Sequence, residues 1–106
     1  MDSVCERPGL GESFRKPLSA ALKCSVKTVA RLKDIGSNGA RIASDRFLEE
    51  GLFLKLGFFI QKGCYVCVFG KIVRCEKTDF QLYESSFEFW HLDEVSRKLV
   101  DDFLYQ

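Results

Sequence analysis

The residues able to do chemistry in this chain fall into three groups. The first is basic: from Met1 to Arg46 nine lysines and arginines stand against five acids, a charge of +4. The remainder carries seven basic and ten acidic residues, a charge of −3. An anion is drawn to the first half, although a lysine-bearing, half-exposed sheet face produces the same gradient. The second group is five cysteines, Cys5, Cys24, Cys64, Cys67 and Cys75. Cys64 and Cys67 form a CxxC, but within the strand-like run Cys64 to Phe69 a separation of three puts the two sulfurs on opposite faces. A zinc knuckle needs a turn there and a second ligand pair, so reduced core cysteines are expected, with no metal and no cofactor. The third group would serve catalysis, and it is thin. The single histidine, His91, has no nucleophile motif beside it, and acid and base roles would fall on scattered carboxylates. No enzyme is expected.

The elements that must position these residues are mostly strands. At 106 residues, one hydrophobic core is expected. A hydrophobic fraction of 46% beside 29% charged residues excludes both a disordered chain and a membrane protein. Leu52 to Ile60, the longest apolar stretch, is interrupted by Lys55 and is too short to span a bilayer. Residues 1–13, with Pro8, Gly9 and Gly11, read as a flexible lead without the apolar core of a secretory signal, which places the chain in the cytoplasm. From Leu18 to Asp34 two strands are expected, with Leu22, Cys24 and Val26 inward. Gly36-Ser37-Asn38-Gly39 is a tight reversal into a short strand, Ala40 to Ala43. Glu49-Glu50-Gly51 turns into a hairpin of Leu52–Ile60 and Cys64–Cys75, with Gly70 marking a bulge. Glu76 to Asp79 turns into the last strand, Phe80 to Phe89.

The C-terminus changes period. Asp93 caps a helix over residues 93–105 with Val95, Leu99 and Phe103 on one stripe, widened by Val100 and Leu104. About six antiparallel strands and one C-terminal helix make an all-β fold, a small barrel with a helix over one side and ten phenylalanines to fill it.

This order resembles the PilZ family of bacterial cyclic di-GMP receptors from about Phe14 to the end, giving a domain over 14–106. Arg15-Lys16-Pro17-Leu18 is similar to the end of the family's RxxxR segment and the x-Pro-Leu after it. Asp34 to Ile42 resembles its [D/N]xSxxG and the following strand. Phe87-Glu88-Phe89 and His91-Leu92-Asp93-Glu94 are like its last strand and closing helix. Gly11 stands where the first arginine of RxxxR belongs, and Gly36 takes the serine position of the second motif.

The resemblance implies a non-enzymatic adaptor that binds cyclic di-GMP and relays it to a protein partner in motility, adhesion or envelope machinery. It implies that Arg15 lies on a mobile lead and swings over the ligand. Planar arginines pair with phosphate or the guanine O6/N7 edge and stack on bases. Asp34 either accepts from guanine N1 and N2 or simply forms a turn. Gly39 either brings amides near the ligand or is a hairpin glycine. Ser37 or Asn38 stands in for the hydroxyl lost at Gly36. Lys16 and Arg41 either replace missing charge or are solvated. The alternative is a degenerate domain that has lost the nucleotide and works by protein contact through Trp90, Tyr105 and outward phenylalanines. A single-stranded nucleic-acid barrel fits poorly with a net charge of +1, so no DNA or RNA is expected.

Overall fold

The computed structural model describes residues 15–79 and 81–106. The expected lead over 1–13 lies outside them, as do Phe14 and Phe80. Among the described residues seven strands are present: β1 Arg15–Ala21, β2 Lys23–Cys24, β3 Ala30–Gly36, β4 Gly39–Ser44, β5 Phe53–Gln61, β6 Cys64–Asp79 and β7 Leu82–Leu92. Helix α1, Glu94–Leu104, follows. All pairings are antiparallel, in the spatial order β1-β3-β4-β7-β6-β5-β2.

The two edge strands of this sheet are neighbours in the chain, separated only by Leu22. Leu22 N–H still donates to Ala30 on β3, whereas Ser25 N–H donates to Lys55 on β5. The chain therefore crosses from one edge to the other within a few residues, which is geometrically feasible only because the sheet is curled into a half-barrel. This crossing splits the expected strand after Pro17, giving seven strands where the periodicity suggested about six. Leu18, Ala20, Leu22, Cys24 and Val26 keep their inward direction against the core.

The core is chiefly aliphatic: Leu32, Ile35, Ile42, Leu54, Val66 and Ile72 are fully buried together with Phe58 and Phe87. The phenylalanines do not fill it, since Phe47, Phe53, Phe59 and Phe69 are exposed. Helix α1 packs against β5, β6 and β7. Its buried line is Ser96, Val100 and Leu104; Leu99 and Phe103 of the expected stripe pack against the core, while Val95 is 69% exposed. Ser96 can occupy a buried position because its Oγ accepts from the Cys67 N–H at 3.1 Å.

Two further expectations change. Glu76 to Asp79 do not turn; β6 continues through them, pairing Glu76 with Glu84 and Lys77 with Tyr83. An exposed ladder beyond the core tolerates polar residues on both faces, so composition there imitates a turn. Reversal occurs around Gln81, in the left-handed region at φ 59°. The bulge expected at Gly70 is present, with Trp90 the extra residue between the pairs Phe69–His91 and Gly70–Phe89. β7 thus reaches Leu92, and Trp90 is thrown outward, 57% exposed. Among the described residues no helix is long and apolar enough to cross a membrane.

Candidate functional site

The site is built by a register shift in β3. Leu32 pairs with Ile42 but Asp34 pairs with Arg41, so Lys33 is the extra residue. The shift reverses parity: Ile35 enters the core at 0% exposure, and Asp34 comes onto the outer face beside Arg41. On the other side of β3, Pro17 pairs with Asp34 and Arg15 with Gly36, making Arg15 the diagonal neighbour of Asp34. Pro17 is tolerated because β1 is an edge strand.

Asp34 is consequently covered by two arginines. Its Oδ1 accepts from Arg15 Nη1 at 2.8 Å, its Oδ2 accepts from Arg41 Nε at 2.8 Å, and Arg41 Nη2 makes an ion-pair contact with the same oxygen at 2.7 Å. Arg41 Nη1 also reaches Glu84 at 3.2 Å, and Glu84 takes Lys33 Nζ at 3.2 Å. The Arg41 guanidinium is held above its ordinary value chiefly by its hydrogen bond to the Asp34 carboxylate, helped by that charge. Asp34 is only 8% exposed because these guanidinium groups lie over it.

Three of the residues singled out in the sequence, Arg15, Asp34 and Arg41, thus meet on one face, with Gly36 opposite Arg15. Arg15 is the first residue of a paired strand rather than part of a free arm. Lys16 is not with them, because neighbours in a strand face opposite ways. Its Nζ donates to the Phe103 carbonyl at 2.8 Å and lies 4.7 Å from the Phe103 ring centroid. The reversal between β3 and β4 is tied elsewhere: Ser37 C=O accepts from Arg97 Nη1 at 2.7 Å, and Asn38 C=O from Phe89 N–H at 2.8 Å. Gly39 is required by a close approach, since a Cβ there would lie 2.6 Å from the Phe87 carbonyl oxygen. Glu84, Arg97 and Phe103 were not singled out in the sequence; they arrive from 43 to 87 residues away along the chain, and no local pattern marks them.

The CxxC cysteines fall on opposite faces, Cys64 half-buried against the core and Cys67 exposed. Burial pushes the Cys24 thiol up. Among the described residues no group of three or more His, Cys, Asp or Glu side chains is placed to hold a metal ion.

The chain is thus a small curled antiparallel half-barrel with a closing helix and an acid clasped by arginines beside its β3–β4 turn. The family model for the PilZ domain matches residues 5–106, and the chain belongs to that family. Among solved structures it is similar to the Bacillus subtilis inhibitor of motility, MotI/DgrA, with a TM-score of 0.70 at 10% identity. That match covers 86% of this chain and 47% of the other, so this chain spans about half its length, and the likeness is one of fold. A search of the curated proteins finds no match.

Proposed function

We propose that the chain is a non-enzymatic cytoplasmic receptor that binds cyclic di-GMP at Arg15, Asp34, Arg41 and the Gly36–Gly39 turn, and relays occupancy to a protein partner. The observation that carries this reading is the pair of arginines converging on Asp34 beside the motif turn. Two planar cations on one face offer bidentate partners for phosphate and stacking planes for guanine. Arg15 holds Asp34 by one hydrogen bond, whereas Arg41 adds a second ion-pair contact to its own hydrogen bond and also meets Glu84. Arg15 is therefore the side chain that exchanges Asp34 for a phosphate, while Arg41 stays.

A second reading is supported by the same contacts: a degenerate domain that works by protein contact alone. Arg15, Arg41 and Lys16 all have internal partners, Gly36 supplies no hydroxyl, and Gly11 lies outside the described residues. Calorimetric titration separates the two. Heat on adding cyclic di-GMP, weakened about 5- to 150-fold in Arg15→Ala, supports the receptor. No heat at high concentration, or equal affinity in that variant, ends it and leaves the adaptor.

A further inference from the structure

The outer face of β2, β5 and β6 carries a groove of about 420 Å³ that the PilZ motif does not use. Its lining includes the cross-strand pair Gly57–Cys67. Tyr65 and Phe69, two residues either side of Cys67 on the same face, form its walls, and both are backed by a second ring. Phe59 meets Tyr65 edge-on at 4.9 Å, and Phe53 stacks on Phe69 at 5.4 Å with 8° between planes. The Tyr65 hydroxyl lies over Gly57, in space that a Cβ would occupy. Walls held in this way lose little freedom when something enters between them.

The charge around the groove has one sign available. Lys23 and Lys55 line it, and among the described residues neither makes an ion pair. Asp93, the one carboxylate in the lining, is committed to the Ser96 amide at 2.7 Å. The volume suits one small molecule, and a mostly apolar groove with few polar groups is the usual form of a small-molecule site.

We infer that this groove is a second binding site, for a small planar aromatic anion whose ring system lies between Tyr65 and Phe69 and whose carboxylate, sulfonate or phosphate meets Lys23 and Lys55. It is separated in the sheet from Arg15 and Asp34 by β4 and β7, and it stands or falls independently of cyclic di-GMP binding.

The test titrates the full chain with 8-anilinonaphthalene-1-sulfonate and, in parallel, with uncharged N-phenyl-1-naphthylamine. Saturable binding of the sulfonate is expected, weakened at least about tenfold in a Lys23→Glu, Lys55→Glu double variant and for the uncharged probe. Gly57→Ala, which displaces the Tyr65 phenol, weakens it too, while Phe47→Ala, an exposed ring packed on Tyr83 outside the groove, does not. Cys67 is an exposed thiol in the groove lining, so bound sulfonate slows its alkylation by iodoacetamide, followed by peptide mass spectrometry. Equal affinity for the two probes, an indifferent lysine double variant, or unchanged Cys67 alkylation at saturation overturns the site. So does binding that depends on Phe47 but not on Gly57.

Discussion

Lys16 and Phe103 are joined twice, by a 2.8 Å hydrogen bond from the ammonium to the backbone carbonyl and by the ammonium lying 4.7 Å from the ring centroid. The carbonyl belongs to the last turn of α1, where acceptors lack intrahelical donors and the helix end is partially negative. No basic side chain of α1 itself occupies that turn, so the compensating charge comes from β1. Lys16→Met keeps the aliphatic stem and removes the cation, and is expected to cost about 1–2 kcal/mol. Urea denaturation gives the loss, and hydrogen exchange localises it to the amides of Leu104 and Tyr105. A midpoint and exchange rates like those of the parent would mean the contact contributes nothing.

At Asp34 the prediction concerns order as well as size. Asp34→Ala removes two charge-assisted hydrogen bonds and a further ion-pair contact, but the freed arginines are 30% and 48% exposed and recover water. The expected loss is about 1–3 kcal/mol rather than that of a fully buried ion pair. Arg15→Ala should cost less than Arg41→Ala, because Arg41 makes a hydrogen bond and a second ion-pair contact to Asp34 and also meets Glu84. Equilibrium unfolding of the three variants checks the ranking, and the reverse order would contradict it.

The strands were legible where one face is buried: alternation in β4, β5 and the first half of β6 marks them, and the 3.6-residue period marks α1. What was not legible has a common cause. Lys33 and Trp90 are bulge residues, and a bulge changes parity without changing composition, so neither the outward turn of Asp34 nor the exposure of Trp90 is written in local pattern. In the helix stripe only Val95 departs, exposed where Ser96 takes the buried place, because Ser96 does not look like a buried residue until the Cys67 amide is beside it. Arg15 and Asp34 were marked by the resemblance to the PilZ motifs, and Arg41 only as a cation that either replaces missing charge or is solvated. That Lys16 faces away from them follows from strand alternation, once Arg15 and Lys16 are known to belong to one strand.

The helix cap gives a pH dependence of defined sign. The Asp93 carboxyl is held below its usual range chiefly by the hydrogen bond from the Ser96 backbone N–H, with the Ser96 side chain second. A group whose folded value is depressed adds stability that is present above its unfolded value, about 3.9, and lost as pH falls through the folded value. Asp93→Asn keeps an acceptor at the cap but cannot titrate. Thermal midpoints of this variant should therefore fall less steeply than the parent's below about pH 4. Some slope remains, because the Asp45 carboxyl is also lowered, chiefly by the Thr28 hydroxyl and then by the Val29 amide. Parallel acid limbs would remove Asp93 from the account.

Two glycines in the ladder between β5, β6 and β7 should respond oppositely to the same substitution. A Cβ at Gly70 would strike the Glu88 backbone carbonyl and the ring of Phe87. Phe87 is 2% exposed and the carbonyl belongs to the neighbouring strand, so neither can retreat without opening the bulge that carries Trp90. Gly70→Ala is expected to cost about 3 kcal/mol. The three atoms nearest a Cβ at Gly57 all belong to the Tyr65 side chain, and that residue is 39% exposed, so its phenol can give way toward water. Alanine also orders the unfolded chain more than glycine does, so Gly57→Ala should lie within about 1 kcal/mol of the parent. Urea unfolding of both variants decides the matter, and equal losses would show that backbone and side-chain obstacles are not distinguished in this sheet.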